Sequence, residues 1–164
     1  MKVVAYVLLA LLAVSLLIVG GAYSYLAPES AEVPVADVRT LRATDAGEVI
    51  GFVREDVAAW LGIPFAAAPV GDLRWRAPAA LDQWQGTREA IAFAPGCPQL
   101  GQGAATGEED CLFLNIWSPE IVPGGEKKRP VMFWIHGGGN SVGDASTAIY
   151  HGAKLSRERD RVVV

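Results

Sequence analysis

The sequence predicts an α/β fold, and two features of its last third support that class. Residues 131–135 (Val-Met-Phe-Trp-Ile) form an apolar run with no polar face, which is typical of an interior strand covered on both sides. Residues 145–159 follow, and Ile149, Ala153 and Leu155 give this segment the apolar positions of a helix that covers the strand. The preceding part of the chain is predicted to contain short strands and few helices.

Two strands are predicted near the start of the α/β part. Residues 49–53 and 58–65 are rich in aliphatic and aromatic side chains, and Gly47 and Gly51 place turns or bulges beside them. Proline residues break up the chain from residue 64 to residue 98, so irregular pieces are expected there. Because these pieces carry Trp75 and Trp84, they are interpreted as packed loops and not as disorder.

Two further strands are predicted towards the C-terminus. Residues 112–117 alternate between two sets of side chains, which suits a strand with two different faces. Leu112, Leu114 and Ile116 form one set, and Phe113, Asn115 and Trp117 form the other. Residues 161–164 begin another apolar strand. Since an apolar strand at a chain end would expose an unpaired edge, we expect the chain to be truncated within a longer domain.

The N-terminal segment differs from the remainder of the chain. Lys2 precedes an uncharged run over residues 3–25, the layout of a basic region followed by the hydrophobic region of a secretory signal. The run is also long enough to span a bilayer, although Gly-Gly-Ala at 20–22 offers a cleavage signal. Two interpretations stay open for residues 1–27: a cleaved signal peptide, or an anchor that tethers the protein to the membrane. Residues 28–164 would then form an exported domain, either secreted or periplasmic or held outside the cytoplasm.

The charge distribution argues against a nucleic-acid partner. The formal net charge is -4, and the longest basic run is the short segment at residues 127–129. That run lies between glycines and a proline, so it is interpreted as a solvated turn.

Cys97 and Cys111 are the two cysteines of the chain. In an oxidising compartment they are best interpreted as one disulfide, with two unpaired buried thiols as the alternative. The polar, glycine-containing segment between them is expected to have little structure of its own. In the chain-entropy model, closing a loop of about 15 residues stabilises a fold by about 3 kcal/mol. No His or Cys partners accompany the pair as a metal site would require, so no metal is predicted.

Three consecutive glycines, residues 137–139, follow the apolar run after a single residue, His136. Glycines in a row are costly in backbone entropy, so they indicate a conformation or a close approach that a Cβ atom would forbid. One interpretation is an oxyanion hole, in which bare backbone N–H groups meet a reacting carbonyl oxygen. A glycine-rich turn is the plain alternative. His136 abuts the loop and is expected to fix its shape by hydrogen bonding.

Five segments occur in order along the chain: GIPFA at residues 62–66, PVGDLRW at 69–75, WQG at 84–86, EDCLFLNI at 109–116 and WIHGGG at 134–139. Together they closely resemble the type-B carboxylesterase or cholinesterase-like family of α/β-hydrolases. The resemblance covers residues 49–164. It implies the N-terminal portion of an α/β-hydrolase fold, whose full domain has a mixed, mostly parallel sheet.

The resemblance also implies roles for individual residues. Gly138 and Gly139 match the two glycines whose backbone N–H groups form most of the family's oxyanion hole. The third donor follows the family's catalytic serine, which is not in this chain.

Two further pairs match structural features of the family. Cys97 and Cys111 match its first disulfide, and Arg74 and Glu109 match a charged pair that ties the early loops together. From the residues alone, two solvated charges that never meet are the alternative for Arg74 and Glu109.

The chemistry that the resemblance implies is acyl transfer. A serine attacks an ester carbonyl, a histidine moves the proton, and prealigned N–H donors hold the oxyanion. The expected partner is a small-molecule carboxylic ester, and neither a metal nor an organic cofactor is expected. Because only the donors are present, the chain alone should be inactive. An inactive adhesion or scaffold protein of the same fold is the alternative, and a catalytic serine further along the sequence would discriminate the two.

Ser141 is not expected to be the nucleophile, although residues 139–143 fit the pattern G-x-S-x-G. A nucleophile elbow needs a strand running directly into it, with an acid and a histidine downstream, whereas Ser141 follows the glycine loop. His151 is expected to be solvated or to pack within the predicted helix. The general base would therefore lie outside this chain.

Overall fold

A computed structural model of the chain describes residue 15 and residues 33–101, 103–119 and 128–164. The chain divides into two units, Met1–Val33 and Pro34–Val164, and the elements below belong to the second. Apart from Ser15, the predicted signal or anchor at residues 1–27 lies outside the described residues. Among the helices that the structure describes, none combines the length and the hydropathy that a membrane span requires.

Short strands make up most of the regular structure. In chain order they are β1 (Arg42–Ala43), β2 (Glu48–Ile50), β3 (Phe52–Arg54), β4 (Val57–Pro64), β5 (Thr87–Glu89), β6 (Gln99–Gly101), β7 (Ala104–Thr106), β8 (Phe113–Pro119), β9 (Val131–Met132) and β10 (Val162–Val163). The described helices of this unit are α1 (Ala153–Arg159) and three 3-10 turns, at Val38–Thr40, Gly71–Leu73 and Ala148–Tyr150.

The strands form mixed sheets. The largest sheet has the order β3-β4-β8-β10-β9, and a smaller one has the order β1-β2-β5. In the large sheet β3, β4, β8 and β10 pair antiparallel in turn, whereas β10 and β9 are parallel. The sheet is therefore mixed, and antiparallel pairing predominates in its described part, whereas the sheet of the full domain is expected to be mostly parallel.

Strand β4 buries side chains on both of its faces. Ala59 and Leu61 belong to a core cluster with Trp117, and this cluster also receives Ala153 and Leu155 from α1. The alternate face of β4 contributes Ala58, Trp60 and Ile63 to a second cluster, against which Leu114 and Ile116 pack. The two predicted faces of the 112–117 segment are thus confirmed, since each one contacts a different core.

A bulge in β4 is held by one buried polar side chain. The pairing of β4 with β8 shifts register between Trp60 and Ile63. At this point Gly62 has a φ of +70°, and a Cβ there would lie 2.7 Å from the Ala92 carbonyl oxygen. The Gly62 N–H donates to Oδ1 of Asn115 at 2.9 Å, and Asn115 is only 8% exposed. The amide therefore satisfies a backbone donor that the bulge removes from the ladder.

The strand predicted at residues 49–53 is divided in two at Gly51. Strand β2 pairs in the small sheet and β3 in the large one. A Cβ at Gly51 would overlap the Ala59 carbonyl oxygen, so the chain crosses between the sheets at a close approach. The hydroxyl of fully buried Thr40 accepts the Gly51 N–H at 2.8 Å and donates to the Asp37 carbonyl oxygen at 2.6 Å. The predicted strand at residues 58–65 is confirmed by β4.

In the part of the chain that the structure describes, the segment at 131–135 is not the predicted interior strand. Strand β9 is the edge of the described part of the large sheet, and Phe133 and Ile135 are 66% and 78% exposed. The covering helix packs elsewhere, because α1 contacts β4, β8 and β10. Within the described residues nothing pairs with the second edge of β9. Hydrogen bonding to β10 nevertheless continues past β9, since Trp134 N–H donates to the Val164 carbonyl oxygen at 2.7 Å.

The helix predicted at residues 145–159 is much shorter than expected. Asp144 Oδ1 accepts the backbone N–H of Ser146 at 2.7 Å, a local turn that competes with helix formation. The α-helix begins only at Ala153, and Ile149 is 83% exposed instead of covering a strand.

Gly152 allows α1 to approach the sheet. A Cβ at this position would lie 2.6 Å from Cε3 of Trp117 and 2.9 Å from Cγ1 of Val163. Strand β10, which contains Val163, confirms the predicted last strand. It lies between β8 and β9, so the expectation that this strand would form an exposed edge is wrong.

The segment between the two cysteines is more ordered than predicted. Strands β6 and β7 form an antiparallel pair with Gln99 opposite Thr106 and Leu100 opposite Ala105. Backbone pairing needs no apolar side chains, which is why composition gave no sign of it.

The two tryptophans in the irregular segments behave differently. Trp84 packs against the second core cluster, and its Nε1 donates to the Glu48 carbonyl oxygen at 3.0 Å. Trp75 is fully exposed, so the prediction of a packed loop is wrong at that residue.

Candidate active site

The glycine loop extends from the end of the parallel β9–β10 pair. The chain leaves the sheet after Trp134, and residues 137–143 form the glycine loop. Within the loop the φ angles are positive at Gly138 (+132°), Gly139 (+61°) and Gly143 (+108°). Asn140 also has a positive φ, +59°, which its short polar side chain tolerates better than most. The loop therefore reverses direction in a backbone conformation that few other sequences could adopt.

The three consecutive glycines are not equivalent. A Cβ at Gly138 would overlap the Val142 carbonyl oxygen and lie 2.7 Å from its carbonyl carbon. A Cβ at Gly139 would meet nothing within 4 Å, so only the positive φ requires glycine there. Gly137 has neither a positive φ nor a close neighbour. Of the three consecutive glycines, Gly138 is thus the one at which a side chain would clash with neighbouring atoms.

The loop is closed by hydrogen bonds to a single acceptor. The backbone N–H groups of Ser141 and Val142 donate to the Gly138 carbonyl oxygen at 3.1 and 3.2 Å, and the Ser141 hydroxyl donates to it at 3.1 Å. In the described part of the chain the N–H groups of Gly138 and Gly139 donate to no acceptor, and both residues are exposed. These are the two N–H groups that the sequence singled out.

The loop borders an open cavity of about 1100 Å³. Its lining includes the glycine loop, Phe65, Phe133, Trp134 and Tyr150. The exposed N–H groups of Gly138 and Gly139 therefore stand at the border of a largely apolar concavity.

His136 and Asp144 lie at the two ends of the loop. Nδ1 of His136 is 2.8 Å from the Gly137 carbonyl oxygen, and a Cβ on Gly143 would lie 2.9 Å from the same nitrogen. Hydrogen bonds from the Ser146 hydroxyl, and then from its backbone N–H, lower the pKa of Asp144 against the opposing effect of burial. Asp144 is therefore an ionised residue that organises the turn after the loop.

Ser141 has no arrangement for nucleophilic attack among the described residues. Its hydroxyl donates to the Gly138 carbonyl oxygen, a local bond of the turn, and its side chain is exposed. His151 packs its ring 5.2 Å from the Trp117 ring and 6.5 Å from the Phe93 ring, measured between centroids. Burial is the largest cause that lowers the pKa of His151, and the nearby Arg54 lowers it further. His151 lies just before α1 instead of inside it.

The two remaining predicted pairs are both formed. Cys97 and Cys111 form a disulfide with their Cα atoms 5.0 Å apart. Arg74 and Glu109 form an ion pair in which the two side chains are 59% and 41% exposed. Within the described residues, no group of three or more potential metal ligands is brought together.

Gln99 contacts the loop and was not singled out by the sequence. Its Oε1 accepts the Gly143 N–H at 2.7 Å, and its Nε2 donates to the Gly143 carbonyl oxygen at 3.2 Å. The two residues are 44 positions apart, so no short sequence pattern could predict the contact. The sequence could have indicated this residue only through its position two residues after Cys97, in the segment that the disulfide closes.

A mixed sheet with a glycine loop projecting from a strand end is the arrangement of an α/β-hydrolase. The family model described as "Carboxylesterase family" matches residues 37–164, and the chain belongs to this family.

Curated relatives and solved structures agree with this assignment. The chain is 48% identical to fumonisin B1 esterase of Sphingopyxis macrogoltabida over 135 residues, 77% of this chain and 24% of that protein. It is 35% identical to para-nitrobenzyl esterase of Bacillus subtilis (strain 168) over 128 residues, 74% of this chain and 26% of the relative.

A solved PNB esterase superposes with a TM-score of 0.70 at 36% identity, covering 76% of this chain and 26% of that chain. The Geobacillus stearothermophilus carboxylesterase EST55 gives a TM-score of 0.67 at 43% identity, covering 76% and 25%. The chain thus spans about a quarter of the length of the relatives it matches.

Proposed function

We propose that this chain is the N-terminal part of a serine hydrolase that cleaves carboxylic esters, and that its glycine loop forms most of the oxyanion hole. The observation that carries the proposal is the pair of exposed N–H groups at Gly138 and Gly139, which donate to no acceptor within the described residues. Such preorganised donors stabilise the negative charge that develops on a carbonyl oxygen during acyl transfer.

The nucleophile, the acid and the general base are assigned to sequence beyond this chain. In support, the chain spans about a quarter of each esterase that it resembles. Ser141 and His151 are both engaged in local contacts, the first with the Gly138 carbonyl oxygen and the second with Trp117. The 164-residue chain alone is therefore expected to be inactive, and no metal or organic cofactor is required by the mechanism.

The glycine requirement of the loop favours an enzyme over an inactive adhesion or scaffold protein. Positive φ angles at Gly138 and Gly139, and the close approach of Gly138 to the Val142 carbonyl oxygen, restrict the residues that can stand there. Glycine at such positions lets bare backbone N–H groups approach a ligand closely. A scaffold that uses only the outer surface of the fold would have no chemical need for such an approach.

Export is part of the same proposal. The disulfide is typical of an oxidising compartment, and the uncharged run at residues 3–25 fits a signal peptide or a membrane tether. Cell fractionation of the tagged 164-residue chain tests this point. Recovery in the cytoplasmic fraction with free thiols would contradict export, whereas resistance of exported material to carbonate extraction would identify a tether.

The test of the enzymatic proposal is labelling of the complete reading frame with a fluorophosphonate probe. We expect one labelled serine in a G-x-S-x-G segment downstream of Val164, and hydrolysis of a short-chain p-nitrophenyl ester. A folded, complete protein that neither labels nor hydrolyses would refute the proposal in favour of a scaffold. Hydrolysis by the 164-residue chain above its Gly138→Ala variant would show instead that an internal catalytic centre had been wrongly rejected.

A further inference from the structure

The glycine loop has few connections of its own to the body of the fold. The hydrogen bonds donated by Ser141 and Val142 return to the Gly138 carbonyl oxygen, so they close the turn on itself. They do not fix its orientation relative to the sheet. That orientation decides where the Gly138 and Gly139 N–H groups point.

Gln99 supplies a two-point connection from outside the loop. Its side-chain amide accepts the Gly143 N–H at 2.7 Å and donates to the Gly143 carbonyl oxygen at 3.2 Å. Nε2 also lies 3.2 Å from the Cys97 carbonyl oxygen, to which it donates. Because an amide is planar and pairs in both directions with one residue, it fixes both the position and the tilt of the Gly143 backbone.

The residue that holds the loop is itself firmly attached. Gln99 begins β6, two residues after Cys97, and the disulfide joins Cys97 to Cys111, which lies two residues before β8. At the same point the Phe65 N–H donates to the Leu112 carbonyl oxygen at 3.0 Å, which continues the β4–β8 pairing. A continuous connection therefore runs from the central sheet through the disulfide and Gln99 to Gly143.

The loop and the disulfide segment also approach closely enough to need small residues. A Cβ at Gly96 would lie 2.9 Å from Cβ of Asp144. The Glu108 N–H donates to the Gly96 carbonyl oxygen at 2.9 Å, which holds this side of the contact. The amide contact of Gln99 is thus one part of an interface packed at backbone distance.

We infer that Gln99 is a positioning residue that sets the orientation of the oxyanion loop through the backbone of Gly143. The inference rests on the proposed function for its catalytic consequence but not for its structural content. Gln99 touches no reacting atom. Its loss releases the far end of the loop, so the Gly138 and Gly139 N–H groups no longer share one orientation when the oxyanion forms.

The first arm of the test uses the 164-residue chain and needs no activity. Hydrogen exchange of the Gly143 amide is measured by NMR in the wild type, Gln99→Ala and Gln99→Glu. Gln83→Ala is the matched control, because Gln83 donates from its side-chain amide to the Asp45 carbonyl oxygen, away from the loop. In Gln99→Ala we expect exchange at Gly143 to rise by about three- to tenfold, the size expected for one lost hydrogen bond. Unchanged exchange in Gln99→Ala would overturn the inference.

The Gln99→Glu variant adds a pH-dependent measurement, which distinguishes a hydrogen-bonding role of residue 99 from a role in packing alone. An ionised carboxylate still accepts the Gly143 N–H but offers no donor, whereas the protonated carboxyl offers both and imitates the amide. We expect the protection factor of Gly143, corrected for intrinsic exchange, to change in this variant as pH falls through the pKa of the introduced group, because protonation adds a donor to the Gly143 carbonyl oxygen and removes the charge from the acceptor of its N–H. The wild type and Gln83→Ala should lack this dependence, and its absence in Gln99→Glu would count against a two-way contact.

The second arm uses the complete esterase. We expect Gln99→Ala to lower kcat about tenfold with little change in KM, which is less than the 10²–10³ found when an oxyanion donor is removed outright. Unchanged kcat in an active enzyme would overturn the catalytic part of the inference. If the complete wild-type protein hydrolyses no ester, the proposed function fails, and the Gly143 measurement still decides whether Gln99 holds the loop.

Discussion

The non-equivalence of the three consecutive glycines can be tested by single alanine substitutions. At Gly138 an added Cβ overlaps the Val142 carbonyl oxygen while φ stays at +132°. The strained backbone costs about 1–3 kcal/mol, and overpacking adds about 1–3 kcal/mol. Gly138→Ala should therefore raise the free energy of the native loop by about 2–6 kcal/mol.

The other two positions provide graded controls. Gly139→Ala meets no neighbouring atom but keeps a φ of +61°, so its cost should be about 1–2 kcal/mol. Gly137→Ala has neither penalty, and its effect should be neutral or slightly stabilising because the unfolded chain loses freedom. The expected order of destabilisation is 138, then 139, then 137.

The assay is hydrogen exchange at Ser141 and Val142, whose amides donate to the Gly138 carbonyl oxygen. A local cost of 2 kcal/mol corresponds to about 30-fold faster exchange, up to the limit of the unprotected rate. Gly137→Ala should match the wild type. If Gly138→Ala protects these amides as well as Gly137→Ala does, the close approach at Gly138 does not determine the loop, and the steric argument is refuted.

Three further outcomes are expected for the 164-residue chain. Gly152→Ala should lower the free energy of unfolding by about 1–3 kcal/mol in urea titrations, because its Cβ would lie 2.6 Å from Trp117; an unchanged midpoint would show that α1 can move away at no cost. Reduction of the Cys97–Cys111 disulfide should cost about 3 kcal/mol, measured as the difference between titrations with and without reductant. The pKa of His151 is lower in the folded state than its ordinary 6.5, so unfolding takes up a proton. The stability linked to this group should be fully present above pH 6.5 and decline as pH falls towards the lowered pKa, and His151→Gln should flatten that decline.

The sequence predicted the central strands because their side chains carry the information locally. The alternation over residues 112–117 reflects two cores on opposite sides of β8, and Trp117 and Ile116 do lie in different clusters. The disulfide was predictable from cysteine count and compartment alone. Both predictions depend only on residues adjacent in sequence or on composition, and a single sequence contains all of that information.

The failures concern contacts between distant segments. Apolarity at residues 131–135 indicates a preference for burial, but it cannot say whether neighbours are present, and Ile135 is 78% exposed. The hairpin between the cysteines is held by backbone groups, which have no side-chain signature. Likewise, the contact of Gln99 with Gly143 depends on how the disulfide loop folds over the sheet.

Strand β4 presents an alignment problem that one residue resolves. Since apolar side chains are buried on both of its faces, a one-residue slip would exchange one set for another without exposing either to water. Asn115 makes the slipped registers less stable than the native one. In the native pairing its Oδ1 receives the Gly62 N–H, whereas a displaced pairing would bury the amide and the bulge N–H without partners, at about 1–3 kcal/mol for each group. The hydrogen bond from Gly62 to Oδ1 of Asn115 thus selects one register of β4 against β8, although the apolar side chains alone would allow several registers.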